Sequence, residues 1–453
     1  MNTAYALTQP SGGAVQVPAH ERVLLPNGVT LLIVPSRDVP LISFHAVFRG
    51  GPLGDSTAGV ASLVAGLLEK GAGDRNAFEF ADAVEGAGGN FSVVTGTEAL
   101  SISGQFLARD QSLMLDLLAD ALMRPRFEPA EFAKLRARRI ELIKATKDSD
   151  PAEVIGAYGR ALLFAGHPYS EPATGSEASL AAATHEDVVE YYRAHIGADR
   201  LILVFAGDVD VTALKRDVTQ AFGSWRKAGA RAVAVPEPAR VRGRRVLLVD
   251  APDSAQTYFW IANVGVHKQY REHAALDLVN TLYGGRFTSI LNTELRIKSG
   301  LSYSARAGFT RTTAAGEFAI RSFTDTENTG TALDLSIETL ARLKASGVTA
   351  DMLDSARSYV LGQYPLNFET ASDWAAALVE LEFYGLGADY IDDYAAKLRD
   401  VTLPVARAVI DEAFPNTHDL VIVLIGDAAK IRDVARQYGE VSEMSLTQPT
   451  FTP

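Results

Sequence analysis

The sequence predicts an α+β protein made of two related halves, each a mostly antiparallel sheet covered by helices. Three observations carry that reading. First, the strings LILVFAGDVDVTALKRDVTQAFG (residues 201–223) and LVIVLIGDAAKIRDVARQYG (residues 420–439) share one order: apolar strand, Gly-Asp turn, amphipathic helix, terminal aromatic and glycine. Their turns, at Gly207 and Gly426, lie 219 positions apart, about half of the 453 residues. Second, strands and helices mix without the regular alternation of a doubly wound sheet. Third, alternating stretches such as GEFAIRSF (residues 316–323) read as antiparallel strands with one covered face.

The elements follow in order. A strand pair opens each half: TLLIV then ISFHAVFRGG between residues 30 and 51, and RVLLVD then TYFWIANVG between residues 245 and 265. Each pair leads into an apolar-periodic helix, residues 60–70 in the first half and 272–283 in the second. Between the halves, RKAGARAVAVPEPARVRGRR (residues 226–245) is rich in Ala, Pro and Arg and shows no sustained period, as expected of a solvated linker. The expected division is an N-terminal extension at 1–19, a first domain at 20–225, the linker, a second domain at 246–440 and a tail at 441–453.

Composition narrows the function. An apolar content of 47% excludes disorder, and the formal charge of −12 supplies no basic stripe for a phosphate backbone, so nucleic acid is not an expected partner. With no cysteine, disulfides, thiolate metal sites and cysteine nucleophiles are excluded together. The longest apolar runs are strand-length, well short of the ~20 residues of a membrane helix, and no membrane insertion is expected. Ala4-Tyr5-Ala6 has the small-x-small form of a signal-peptidase site.

The stretch GVASLVAGLLEKGAG (residues 59–73) has the spacing of a metal-binding helix but none of its ligands. The chain resembles the pitrilysin, insulinase and mitochondrial-processing-peptidase superfamily, whose zinc helix follows the first strand pair and carries His-x-x-Glu-His before a Lys-Gly turn. Two His one turn apart hold the ion, and the Glu activates the attacking water. Alignment on Glu69-Lys70-Gly71 puts the motif positions at Ser62, Ala65 and Gly66, which can neither ligate zinc nor act as base. The resemblance offers Glu141 as a remnant of the third ligand; by itself Glu141 reads as solvated helix surface. The packing face (Val60, Leu63, Val64, Leu67 and Leu68) is intact, so the helix is expected to be scaffold.

The resemblance extends over residues 20–440. VEGAGGNFSVVTGTEALSISGQ (residues 84–105) matches the helix, Gly-Gly turn and strand after the zinc helix, and GHPYS (residues 166–170) matches a His-Pro-Tyr turn. GAGGN ends a helix before a strand, which is C-cap geometry and not a phosphate cradle. His185 begins a helix beside Thr184 and reads as capping, and none of the eight histidines forms a His-x-x-x-His pair.

The most family-specific string is GGRFTSILNTELRIKSGLSYSARAGFT (residues 284–310). In the superfamily this segment sends an Arg and a Tyr, here Arg296 and Tyr303, toward a zinc site on the opposing half of a clamshell. The spacing puts Arg296 in the last turn of a helix ended by Gly300, with Tyr303 entering the next strand. Both side chains donate hydrogen bonds where an oxyanion forms.

The resemblance therefore implies the non-zinc subunit of a bacterial heterodimeric metalloendopeptidase, inactive alone. Its cofactor is zinc held by a homologous partner chain, and its substrate is a peptide in extended conformation. The implied compartment is the bacterial periplasm or cytoplasm, with the periplasm favoured. The rival readings are a catalytically silent assembly subunit and a stand-alone peptide-binding protein of the same fold.

Overall fold

The computed structural model describes residues 15–453; Ala4-Tyr5-Ala6 lies outside them. The first half supplies strands β1 (Glu21–Leu24), β2 (Thr30–Pro35), β3 (Leu41–Arg49), β4 (Asn90–Thr95), β5 (Ala99–Leu107) and β6 (Leu201–Gly207). They form one sheet in the order β1-β2-β6-β3-β5-β4, antiparallel except for the β2–β6 pair. The second half supplies β7 (Arg244–Asp250), β8 (Gln256–Val264), β9 (Ala305–Phe309), β10 (Glu317–Asp325), β11 (Leu420–Gly426) and β12 (Glu440–Ser445). Their order, β12-β7-β11-β8-β10-β9, repeats the first sheet except at one edge, where β12 runs parallel to β7.

Two expectations change. The opening strands of each half are not neighbours, because β6 lies between β2 and β3 and β11 between β7 and β8. All seven residues of β6 and of β11 are buried, so these runs need cover on both faces and find it only mid-sheet. By contrast β5 buries alternate residues, as a strand with one covered face does. The second change concerns residues 441–445, expected in a tail, which complete edge strand β12.

Three helices of the first half matter for function: α1 (Val60–Leu67), α2 (Pro129–Ser149) and α3 (Pro151–Leu163). Their second-half counterparts are α4 (His273–Asn280), α5 (Ala350–Gln363) and α6 (Ala371–Tyr384). Asp55 caps α1 by accepting from the N–H groups of Gly59 (2.9 Å) and Ala61 (2.8 Å). The helix stops at Leu67, short of the expected Lys70, and Gly71 turns the chain with φ +106°.

Each sheet packs one face on its own helices and the other on a helix from the opposite half. Helix α3 covers Leu247, Trp260 and Val423 of the second sheet, while α6 covers Leu32, Val47 and Val204 of the first. Close approach needs Gly159: a Cβ there would lie 2.6 Å from the Trp260 ring. The seam between halves is also polar. Glu98, buried, accepts from the Tyr169 hydroxyl (2.5 Å) and from Thr313 N–H (2.9 Å), so the His-Pro-Tyr turn joins the halves. Past β12 the chain crosses back to the first half, where Lys147 donates to Gln448 O (2.6 Å) and Phe451 packs edge-on against Tyr158 at 4.9 Å.

Candidate functional site

On α1, Ser62 and Ala65 are buried, and the face that would carry metal ligands is closed by α2. Arg139 of α2 donates from Nη1 to the Ser62 hydroxyl. A Cβ added at Gly66 would stand 2.7 Å from Arg139 Nη2 and 2.9 Å from a Leu135 methyl, so the absent side chain at 66 makes room for the guanidinium. Burial lowers the Arg139 pKa, opposed by the charge of Glu69. A hydroxyl, a methyl, a glycine and a resident cation do not fit a divalent ion. Among the described residues no group of three His, Asp or Glu side chains is arranged to hold one.

Glu141 does not contribute. Its carboxylate pairs with Lys144 at 2.9 Å and its side chain is 71% exposed, whereas the α1 face meets Leu135 and Arg139 of α2. The solvated-surface reading of Glu141 holds, and Arg139, two residues earlier, was passed over because only the packing of α2 shows which side of that helix meets Ser62.

The structure does bring Arg296 and Tyr303 together. The chain from Ile290 winds into a π-helical turn, Thr293–Lys298, containing Arg296; such turns are rare and often occur at functional sites. Gly300, at φ +66°, reverses the chain. Tyr303 precedes β9, which begins at Ala305, so Tyr303 lies in the turn and not in the strand as expected. The guanidinium carbon of Arg296 lies 4.2 Å from the Tyr303 ring centroid and 4.8 Å from that of Phe287. Buried Asn292 holds this arrangement from below, donating to Phe287 O (2.7 Å) and accepting from Ala305 N–H (3.2 Å). The sequence reading named neither Phe287 nor Asn292, whose contacts place the pair. Tyr303 is 73% exposed, with Phe287 and Ile297 also exposed beside it.

The first half from residue 49 to 170 matches the family model described as insulinase, peptidase family M16, and residues 182–360 match the model described as the peptidase M16 inactive domain. The chain belongs to peptidase family M16. Among its relatives, an uncharacterised zinc protease of Mycobacterium leprae is 26% identical over 85% of this chain and 86% of its own. The non-peptidase homolog YmxG of Helicobacter pylori is 24% identical over 86% and 90%. A peptidase M16 inactive domain from Pseudomonas fluorescens superposes with a TM-score of 0.84 at 22% identity, covering 90% of this chain and 98% of that one. A Helicobacter pylori protease gives 0.82 at 20% identity, over 90% and 99%. This M16 chain thus has the family architecture, lacks the ligands and base for metal-assisted hydrolysis at α1, and holds Arg296 against Tyr303. No helix among the described residues is long and apolar enough to cross a membrane.

Proposed function

We propose that this chain is the metal-free subunit of a two-chain zinc endopeptidase, and that it lends Arg296 and Tyr303 to the active site of a homologous, zinc-bearing partner. One observation supports this most: a guanidinium and a phenol are held in register on the surface, and among the described residues neither makes a hydrogen bond or ion pair within the chain. Solvated in the isolated chain, both donors are free to meet an acceptor supplied by another molecule.

In this reading the partner's zinc activates water and polarises the scissile carbonyl. Arg296 and Tyr303 donate N–H and O–H to the developing oxyanion, where such donors act most strongly. Stacking restricts the Arg296 side chain, so less rotamer freedom is lost when it meets substrate. An extended peptide is held by strand addition at an outer strand, either β9 next to Tyr303 or β4 in the equivalent position of the first sheet.

The test is reconstitution. This chain and a zinc-bearing homologue from the same genome are purified separately and mixed, and peptide hydrolysis is followed. Activity only in the mixture, lowered by Tyr303→Phe with assembly and zinc content unchanged, supports the proposal. A mixture that assembles and turns over equally with Tyr303→Phe and Arg296→Ala sinks it in favour of the silent scaffold.

A further inference from the structure

On the sheet face that α3 covers, a row of side chains runs outward from Trp260 on β8 to Arg321 on β10 and Arg306 on β9, each paired in register with the next. Trp260 is buried beneath α3, but the row ends at the sheet edge in two exposed arginines. A cleft of about 380 Å³ opens there between α3 and the β9–β10 edge, and Arg160 of α3 adds a third guanidinium to its lining.

Like charges set directly opposite one another on a sheet are destabilising, so the Arg306–Arg321 pair needs a reason. Charge on an edge strand discourages sheet-to-sheet pairing, which accounts for Arg306 alone. Arg321 stands one strand further in, and Arg160 is on a helix. Internal neutralisation does not account for the group either. Buried Glu317 is shared, its Oε1 lying 3.5 Å from both Arg160 Nη1 and Arg321 Nη2. Glu153, which is exposed, is the acid in the lining, and nearby Asp150 is engaged as the cap of α3. Three cations thus meet the carboxylates of Glu317 and Glu153, and among the described residues Arg306 makes no ion pair or hydrogen bond.

These donors are open to the cleft. Arg306 is exposed, and the side chains of Arg321 and Arg160 are 51% and 34% exposed. Both of the latter lie against Gly156, where a Cβ would stand 3.4 Å from Arg160 Nη1 and 3.6 Å from Arg321 Nη2. An excess of one positive charge suits one carboxylate, which guanidinium groups bind with good geometry. The carrier follows from the strand beside it. β9 is the outermost strand of its sheet, with one side unpaired, and an extended peptide can add to it. A peptide residue opposite Arg306 would have its Cβ ~4.5–5.5 Å from that of Arg306, on the same face.

We propose that this cleft selects an acidic side chain, Asp or Glu, of a peptide added to β9, with its carboxylate among Arg306, Arg321 and Arg160. Arg306 follows Tyr303 by three residues, at most ~10–11 Å of chain, so the acidic residue lies roughly three positions from the scissile bond. That placement rests on the two-chain reading; the charge preference of the cleft does not.

Calorimetric titration of the full chain without a partner tests the cleft by itself. The probes are N-acetylated, C-amidated octapeptides of β-forming residues, identical except for Glu, Gln or Lys at one central position. The Glu peptide is expected to bind about fivefold or more tightly than the Gln peptide, the margin of a well-placed ion pair, with the Lys peptide weakest. Arg306→Glu, at an exposed edge position, should invert the order. Arg306→Gln should erase the margin and decides the matter if the charge reversal unfolds the chain. In the reconstituted pair, moving the Glu along the peptide should raise kcat/KM only at about two to four residues from the cleaved bond. A Glu preference in binding with no hydrolysis in the mixture supports the cleft and removes the two-chain reading. The proposal is overturned if no peptide binds at millimolar concentration, if the Glu and Gln peptides bind alike, or if Arg306→Glu still prefers Glu. Unselective binding together with loss of partner assembly in Arg306→Glu would assign the arginines to the subunit interface instead.

Discussion

Arg296 rests on the face of Tyr303, 4.2 Å from guanidinium carbon to ring centroid, with Phe287 against the same guanidinium at 4.8 Å. The tyrosine thus has two separable parts in the proposed mechanism: its ring positions Arg296, and its hydroxyl reaches the substrate. Tyr303→Phe keeps the first and removes the second. Loss of one oxyanion donor lowers kcat by about 10²–10³, with KM changed less. Tyr303→Leu removes both parts and should be worse. Phe287→Leu touches only positioning. An exposed cation–π contact is worth about 0.5–1 kcal/mol, so a two- to fivefold fall in kcat is expected. Steady-state kinetics of the reconstituted pair, with assembly verified, rank the three variants.

The closed face of α1 makes a second prediction. Installing His at 62, Glu at 65 and His at 66 should yield no stoichiometric zinc, because the Arg139 guanidinium stands where the new side chains must go. Adding Arg139→Glu removes the resident cation and supplies a carboxylate on the facing helix, so zinc binding should appear in the quadruple variant. Metal analysis after dialysis reads both. One zinc per chain in the triple variant would show that Arg139 does not hold the face closed.

The returning C-terminal segment is structural. Phe451 is buried against Tyr158 and lies under the Lys147 ammonium at 5.2 Å. Phe451→Ala should lower stability by about 3–5 kcal/mol, the usual range for a buried Phe truncation. Denaturant titration measures it; a change under 1 kcal/mol would mean that the segment is not anchored there.

His273 gives a pH prediction. Its folded pKa, about 4, lies below the ordinary value of 6.5. Between those values the unfolded chain binds a proton that the folded chain does not, so stability falls as pH drops from 6.5 toward 4, by up to about 1.4 kcal/mol per pH unit. The groups facing it are Arg311, Lys397, Lys268 and Asp389. Denaturation midpoints at pH 7, 5.5 and 4.5 should converge for His273→Phe relative to the parent; parallel curves would show that His273 protonates freely in the folded state.

The duplication, the α+β class and the core face of α1 were legible because repeated strand-turn-helix strings and helical periodicity are local signals. Strand order was not, since burial on both faces sent β6 and β11 between strands that precede them in the chain. At the site, the string around Arg296 and Tyr303 was readable, whereas Phe287 could be linked to Arg296 only through the packing that Asn292 enforces. Arg139 looked like one of several arginines on a polar helix; its meaning depends on a glycine 73 positions away.

The crossed placement of α3 and α6 means that neither half has a complete exterior. A half expressed alone would present to water the apolar sheet face bearing Leu247, Trp260 and Val423, or that bearing Leu32, Val47 and Val204. The chain is in effect a dimer written into one polypeptide, and its integrity rests on mutual cover more than on the connecting peptide. Proteolytic nicking within residues 226–243 should leave two fragments that still migrate as one particle. Rocking of one half against the other would expose these apolar faces, so opening of the proposed two-chain clamshell occurs where this chain meets its proposed partner.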